Sequence, residues 1–276
     1  MENRSIEEII KAAEEAHERK SYKEEAAFWQ EGADLGDAYC QYRLGWCYRH
    51  GIGVPLNVRT AFPWFLKAAE QGLSASEYEA GIYYRFGYGN VEEDPVKAAF
   101  WLAKSAEHGS FRAQFSLADM YQNGEGVNKD AEKAVYWYER AAEQDYALAM
   151  VRLGYCYETG LGVKRDYEKA FHWYTKAADL NDSTAQYCLG LFYEKGLFVN
   201  KDPAKAVFWF AKSADLNMPF AQYELARYYE KGEVVPLDLL KAEDLYDRAL
   251  GCGYTVAEKP LKRVRKIIDQ ANKKTQ

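Results

Sequence analysis

The residue types that most often carry catalysis or metal binding are few in this chain and stand far apart. The four histidines are His17, His50, His108 and His172, and none has a partner at metal-ligand spacing. The motifs HExxH, CxxC, GxSxG and Ser-x-x-Lys are absent. We therefore predict that the chain is not an enzyme and has no catalytic, metal-binding or cofactor-binding residues.

Paired glycines are the next candidates for chemistry, because a glycine-rich loop can hold a phosphate. Neither a preceding strand nor a following Gly-Lys-Ser/Thr accompanies them here, so a phosphate loop is disfavoured. Glycine also supplies the left-handed turn that ends a helix. We predict that role for the four pairs Gly51/Gly53, Gly87/Gly89, Gly124/Gly126 and Gly160/Gly162.

The five cysteines show no disulfide pattern. Cys40 and Cys47 are seven residues apart, about 10 Å along a helix, which is too far for a disulfide bond. Cys156, Cys188 and Cys252 have no paired spacing either. This favours a reducing compartment.

The elements that must position these residues come from a repeated unit, which is clearest from Tyr146 to Asn181. Its first half carries four landmarks at helical spacing, namely Ala149, Leu153, Gly154 and Tyr157. Its second half carries five, namely Ala170, Trp173, Tyr174, Ala177 and Ala178. The unit is therefore predicted to be a helical hairpin.

Copies of this unit follow one another at steps of 35 to 37 residues. The second-helix column is Trp29, Trp64, Trp101, Trp137, Trp173, Trp209 and Leu245, and we predict that its tryptophans form the core between helices. The first-helix column is Tyr48, Tyr84, Tyr121, Tyr157, Tyr193 and Tyr229. Such a period indicates an α-solenoid, in which each unit buries its apolar face against a neighbour.

The pattern A-x3-LG-x2-Y-x2-G-x-GV-x2-D-x2-KA-x2-WY-x2-AA resembles the Sel-one-like repeat (SLR), a relative of the tetratricopeptide repeat. The resemblance covers about residues 37 to 253 in six copies. It departs from the pattern at Pro63, at Ala80 before Gly81, at Phe198, at Val234 and at Leu245. It implies an all-α, right-handed solenoid of about seven helix-turn-helix repeats with a C-terminal capping helix.

Three domains are predicted: an N-terminal capping hairpin (1–36), six repeats (37–253) and a basic C-terminal capping helix (254–276). A capping box of Ser21 with Glu24 is predicted to begin the second helix, and Pro63 is predicted to kink copy one. The N-caps of the second helices are predicted to be Asn57, Asp94, Asp130, Asp166, Asp202 and Asp238.

Charge and hydropathy indicate the compartment. The net charge is -6, with a surplus of five basic residues from Tyr254 onward, and this gives no sign of a nucleic-acid-binding body. No apolar segment resembles a signal peptide or a membrane span. We expect a cytoplasmic protein with no nucleic-acid or membrane partner, although the basic C-terminal helix could instead touch acidic lipid or nucleic acid.

Candidate binding residues lie on the first helices, opposite the predicted core. Offset 0 is the small residue that begins each first-helix stripe, namely Cys40, Ser76, Ala113, Ala149, Ala185 and Ala221. Offset 2 then holds Tyr42, Tyr78, Phe115, Val151, Tyr187 and Tyr223. Offset 6 holds Trp46, Ile82, Asp119, Tyr155, Leu191 and Arg227. The resemblance places this side on a concave face, where an aromatic track suits a binding groove. Offset 2 could instead pack against the next copy.

Offset 9 adds a change of charge along the track, with the residues Arg49, Arg85, Gln122, Glu158, Glu194 and Glu230. This order predicts a groove with one basic and one acidic end, which would orient a partner. Ordinary variation at helix ends is the alternative interpretation.

The predicted function is a non-catalytic scaffold or adaptor that binds a protein or peptide along the concave face. The resemblance leaves two alternatives, an immunity-type inhibitor of a cognate toxin and a penicillin-binding or β-lactamase-like enzyme. The missing cysteine pairs and Ser-x-x-Lys argue against the enzyme. Self-association through the aromatic track is a further possibility.

Overall fold

The computed structural model describes residues 4–274, and within that range the chain has fifteen α-helices, two 3-10 turns (Tyr88–Asn90 and Thr255–Ala257) and no strand. The predicted all-α repeat architecture is confirmed. The chain divides into two compact units, Met1–Gln144 and Asp145–Gln276, which we call the N-terminal and C-terminal units.

The N-terminal unit holds four helical hairpins. Its helices are α1 (Ile6–Glu18), α2 (Tyr22–Asp34), α3 (Ala38–His50), α4 (Val58–Glu70), α5 (Ser74–Phe86), α6 (Pro95–Glu107), α7 (Phe111–Asn123) and α8 (Ala131–Ala142). The α1–α2 hairpin precedes the repeats, and the other three hairpins are copies one to three.

The C-terminal unit holds copies four to six and the closing helix. Its helices are α9 (Ala147–Thr159), α10 (Tyr167–Asp179), α11 (Ser183–Lys195), α12 (Pro203–Asp215), α13 (Pro219–Lys231), α14 (Leu239–Gly251) and α15 (Glu258–Lys274).

The predicted caps of the second helices are confirmed in all six copies. Each capping side chain accepts the backbone N–H three residues later at 2.9 to 3.1 Å. In copies two to six that later residue is a lysine whose ammonium lies 5.1 to 5.3 Å from the ring centroid of the first-helix tyrosine. The D-x2-K motif therefore joins the start of one helix to the side of the other.

One local prediction at the N-terminal end needs correction. The side chain of Ser21 makes no capping bond, so the predicted box with Glu24 is wrong. The capping box lies at α1 instead, where Ser5 Oγ accepts from Glu8 N at 3.3 Å and Ser5 N donates to Glu8 Oε2 at 2.9 Å. Pro63 lies inside α4, which continues past it as one element of 13 residues, and the kink expected there stays a prediction.

The core of each hairpin forms where a second-helix side chain enters a notch on the first helix. The entering residues are fully buried and follow the tryptophan column by one position: Phe65, Leu102, Tyr138, Tyr174, Phe210 and Tyr246. Glycine forms the notch in four copies. A Cβ on Gly45 would lie 2.8 Å from Phe65 Cδ1, and one on Gly154 would lie 2.7 Å from Tyr174 Cε1.

The tryptophans themselves were expected in the core, and this expectation holds only in part. Trp29 and Trp101 are buried, whereas the other four tryptophans of the column are half-buried at the edge of the hairpin. Lysine ammoniums cover several of these rings, and Lys67 Nζ lies 4.4 Å from the centroid of Trp64. The adjacent position, about 100° further round the helix, points into the notch.

The closing helix α15 packs on copy six, as predicted. Leu261 and Val264 are buried in a cluster with Tyr246. Two arginines pair with acidic residues of α13 and α14. Arg263 Nε and Nη2 lie 2.8 and 2.9 Å from the Glu230 carboxylate, and Arg265 pairs with Glu243 and Asp247. Part of the basic charge at this end is therefore used inside the C-terminal unit.

Candidate functional site

The candidate site is the first-helix face, which we define as offsets 2, 6 and 9 of α3, α5 and α7 in the N-terminal unit and of α9, α11 and α13 in the C-terminal unit. The three offsets behave differently, so each is described in turn.

At offset 9 the two arginines join neighbouring copies of the N-terminal unit. Arg49 of α3 forms an ion pair with Glu79 of α5, and Glu79 is 6% exposed. Arg85 of α5 forms a bidentate pair with Glu125, with Nε–Oε1 and Nη2–Oε2 distances of 2.9 and 2.7 Å. Both guanidiniums are therefore held by carboxylates of the same unit.

The later offset-9 residues accept hydrogen bonds from tyrosine hydroxyls. Tyr174 donates to Glu158 at 2.8 Å and Tyr246 to Glu230 at 2.9 Å. The Tyr138 hydroxyl is shared between Gln122, at 2.9 Å, and the closer carboxylate of Asp119 at offset 6. Each of these tyrosines is the fully buried ring that enters the notch. In copy five, where the notch ring is Phe210, Glu194 accepts instead from Tyr228 at 3.1 Å.

These bonds explain which residue types stand at offset 9. A buried hydroxyl must find an acceptor, so copies with a tyrosine in the notch place an amide or carboxylate at offset 9. Copies one and two have Phe65 and Leu102 in the notch and place arginine there. The charge at offset 9 follows this pairing in every copy but the fifth, where Glu194 faces Phe210 and accepts from Tyr228 instead. The orienting effect of the charge change on a partner stays a prediction.

Burial and these carboxylates also act on the tyrosine hydroxyls. Burial raises the pKa of Tyr174, and Cys188 and Glu158 raise it further. Burial likewise raises the pKa of Tyr246, with Glu230 adding to the effect. Both hydroxyls therefore remain protonated donors at neutral pH.

At offset 2 the aromatic rings are half-buried against the notch rings. The ring-centroid distances are 5.9 Å for Tyr42–Phe65, 5.7 Å for Phe115–Tyr138, 5.8 Å for Tyr187–Phe210 and 5.5 Å for Tyr223–Tyr246. The offset-2 rings thus form the outer layer of the hairpin core and present one side to the first-helix face. Tyr78 is half-buried as well.

At offset 6 the exposure varies from copy to copy. Tyr155 is 47% exposed, and Trp46 and Leu191 are half-buried. Ile82 was expected on the open face, but it is 8% exposed and packs in a core cluster with Leu117 and Met120 of α7. The expected exposure of Ile82 is therefore wrong, because the next first helix covers it.

Each unit has a cleft that includes predicted residues. In the N-terminal unit a cleft of about 290 Å³ is lined by Tyr42, Trp46, Ala75, Tyr78, Glu79, Ser110, Phe111 and Arg112. In the C-terminal unit a cleft of about 190 Å³ is lined by Glu194, Lys201, Pro203, Arg227, Tyr228, Lys231, Glu233 and Val234.

The predicted site residues are therefore only partly brought together. Tyr42, Trp46 and Tyr78 share one cleft, and Glu194 lies in the other. The remaining predicted residues line neither of the two: Arg49, Ile82, Arg85, Phe115, Tyr155, Glu158, Tyr187, Leu191 and Tyr223. Phe111 and Arg112 also line the N-terminal cleft, although neither was predicted as a binding residue. They stand just before offset 0 of copy three, at the start of α7.

Within residues 4–274 no group of histidine, cysteine and carboxylate side chains could hold a metal ion. Across the same residues no helix is long and apolar enough to cross a membrane.

Stacked hairpins of about 36 residues with notched first helices define an α-helical repeat protein. The model of the Sel1 repeat family matches residues 38–73, 74–110, 111–146, 147–182, 183–218 and 219–254. The chain belongs to the Sel1 repeat family.

Two solved structures of known proteins are similar to most of this chain. The uropathogenic Escherichia coli protective antigen c5321, which displays an SLR fold, is 32% identical with a TM-score of 0.80, over 88% of this chain and 52% of that one. A Sel1 repeat protein from Oxalobacter formigenes is 34% identical with a TM-score of 0.76, over 88% of this chain and 70% of that one.

A curated relative, chitin synthase regulatory factor 2 of Schizosaccharomyces pombe, is 34% identical over 114 residues, which is 40% of this chain and 21% of that protein. The chain therefore corresponds to about a fifth of that relative and to about half of the E. coli antigen.

Proposed function

We propose that this chain is a non-catalytic scaffold that binds a protein or peptide partner through its first-helix face. Sel1 repeats in general mediate protein–protein interactions, and the chain belongs to that family. The observation that carries the proposal is the aromatic cleft of the N-terminal unit, where Tyr42, Trp46 and Tyr78 meet. Residues with large aromatic rings and few rotatable bonds contribute most of the binding energy at many protein interfaces.

The packing behind these rings supports the same proposal. Tyr42 lies against Phe65 of the core, and the Trp46 ring packs on His50 with centroids 4.1 Å apart and the ring planes tilted by 42°. Side chains held in this way lose little freedom when a partner binds. In the C-terminal unit, Tyr155 adds a ring that is 47% exposed.

The test is affinity capture from native lysate with the wild-type chain and with the double variant Trp46→Ala/Tyr155→Ala. We expect the double variant to lose the partner while its circular dichroism and melting temperature stay close to those of the wild type. The matched control is Phe100→Ala/Phe208→Ala, which removes one exposed ring from a second helix of each unit, since these rings are 53% and 52% exposed.

Capture that is lost in the control but kept in the test variant would move the binding surface to the second helices. A large fall in melting temperature for Trp46→Ala/Tyr155→Ala would mean that these rings serve the core and would remove the main support for the proposal. An immunity-type inhibitor is one form of the proposed function, and a toxin recovered as the partner would identify it.

A cytoplasmic location is part of the proposal. Burial raises the pKa of the Cys47 and Cys156 thiols to about 11, which keeps them as unreactive thiols. Cell fractionation with a tagged chain tests the location, and recovery outside the cytoplasm would contradict it.

A further inference from the structure

The cleft of the N-terminal unit has apolar walls on three first helices. Tyr42 and Trp46 come from α3, Tyr78 from α5 and Phe111 from α7. The Tyr42 and Trp46 rings are in contact, with centroids 6.3 Å apart. This arrangement offers a site for one apolar side chain between rings that are already packed.

Glu79, which lines the cleft, and Arg43, which lies beside it, are both paired within the unit. The Glu79 carboxylate is held by Arg49, and Arg43 beside the cleft pairs with Glu25 at 3.3 Å. Burial raises the pKa of Glu79, while Arg49 and Arg112 oppose that rise. Glu79 therefore has its counter-charge within the unit and is not open to a cationic ligand.

Arg112 is the exception. Its side chain is exposed at the rim of the cleft, its guanidinium lies 5.7 Å from the Phe111 ring centroid, and within residues 4–274 it makes no ion pair. It is near enough to Tyr42 to oppose the rise in the pKa of that hydroxyl. The cleft therefore carries one surplus positive charge next to its aromatic walls.

We propose that this cleft binds a segment of a partner polypeptide in which a carboxylate stands next to an apolar side chain. The apolar side chain enters between Tyr42, Trp46 and Tyr78, and the carboxylate pairs with Arg112. The inference rests on the proposed function and adds the chemistry of the partner.

Charge complementarity selects a carboxylate over an ammonium group. A guanidinium binds a carboxylate through two parallel N–H···O bonds, whereas a lysine of the partner would meet the positive charge of Arg112. The surplus is opposite in sign to the net charge of -6 of the whole chain. The cleft of the C-terminal unit, taken separately, also has more basic than acidic side chains, with Lys201, Arg227 and Lys231 against Glu194 and Glu233.

The experiment uses the full chain as bait for a phage-displayed library of random dodecapeptides. Enriched peptides are synthesised with a dye, and their affinity is measured by fluorescence anisotropy. We expect Asp or Glu within two positions of an aromatic or aliphatic residue, and we expect replacement of that acid by its amide to weaken binding about tenfold.

Two charge-reversal variants distinguish a direct contact with Arg112 from the long-range electrostatic effect of the whole chain. Arg112→Glu should weaken the acidic peptides at least about tenfold and favour versions in which lysine replaces the acid, whereas Arg112→Lys should keep part of the affinity. Arg59→Glu is the control, because it makes the same change of charge on an exposed residue of α4 outside the cleft. It should leave binding nearly unchanged.

Four binding results would contradict the inference, and one of them would also contradict the proposed function. Peptides that need Trp46 but show no acidic preference would overturn this inference and leave the proposed function standing. Peptides whose binding survives both Trp46→Ala and Tyr155→Ala would count against the proposed function as well. Equal loss with Arg112→Glu and Arg59→Glu would reduce the effect to long-range charge, and recovery of no binding sequence would rule out short-segment recognition.

Discussion

At the scale of single residues, the buried tyrosine hydroxyls decide which side chains appear on the first-helix face. Tyr138, Tyr174 and Tyr246 each require an acceptor from the neighbouring first helix. Where the notch ring has no hydroxyl, as in copies one and two, the same position is free to reach the next copy as an arginine. A charged residue on this face is therefore evidence for binding only when no core group claims it.

Removing one of these hydroxyls should destabilise the C-terminal unit. We expect Tyr174→Phe to lower the free energy of unfolding by about 1 kcal/mol, because it deletes the 2.8 Å bond to Glu158 and leaves a polar group without its donor. Urea unfolding measures the change. The control is Tyr136→Phe. The Tyr136 ring is 49% exposed, so this variant should change the free energy of unfolding by close to zero. Equal effects for the two variants would contradict the assigned role.

The His50 ring should respond to acid. Burial and the nearby Arg49 lower its pKa below the ordinary 6.5. Because its pKa is lower in the folded state, the folded chain takes up this proton less readily than the unfolded chain, and the residue opposes folding as the pH falls below 6.5.

We expect an acid-dependent change in Trp46 fluorescence, because the His50 and Trp46 rings are in contact, with centroids 4.1 Å apart. Emission measured from neutral to acidic pH, compared with His50→Gln, isolates the transition, and its midpoint should lie below the ordinary histidine value. A midpoint above that value would show that the folded state favours the charged ring.

At the scale of elements, the hairpin is held by a notch on one helix and a cap on the other. The notch lets a ring such as Tyr174 approach the backbone of α9, and the capping aspartate fixes where the second helix begins. Both devices recur in the described copies, with Ala118 and Ala226 in place of the notch glycine in copies three and six.

Closing a glycine notch should therefore be destabilising even though alanine favours helix. We expect Gly154→Ala to lower the free energy of unfolding by about 1 to 3 kcal/mol, because the new methyl group meets the Tyr174 ring. Gly251→Ala is the control, since nothing lies within 4 Å of its added methyl, and it should be neutral or up to about 1 kcal/mol more stable. Chemical denaturation compares them, and similar values for both would exclude a steric role for the notch.

At the scale of the whole molecule, the chain is two compact units in which helices pack on their neighbours in sequence. The stability of such arrays is close to a sum of terms within repeats and between adjacent repeats. A core substitution should therefore act mainly on its own hairpin and the next ones.

Phe210→Ala tests how far along the chain a core substitution acts. Its ring is fully buried in copy five, so we expect a loss of about 3 to 5 kcal/mol. Amide hydrogen exchange should accelerate in α11 to α14 and change little in α1 to α4. Phe65→Ala in α4 is the reciprocal variant and should reverse the pattern. Uniform acceleration over both units in either variant would show that the array unfolds as one cooperative body.

Much of the fold follows from the sequence alone, because its signals are local. The 36-residue period, the helical spacing of the landmarks and caps such as Asp202 act within one hairpin, and each is confirmed. Glycine at Gly160 ends α9 in the left-handed conformation with φ +79°, as its position after an apolar stripe predicted.

What only the tertiary structure decided depends on how one helix is turned against the next. Trp173 and Tyr174 are adjacent and both aromatic, yet packing placed Tyr174 in the notch and Trp173 at the edge. The burial of Ile82 and the pairing of Arg49 with Glu79, 30 residues away, also arise between copies. A periodic pattern gives the face of each helix, but the rotation that sets two faces together is fixed by packing across repeats.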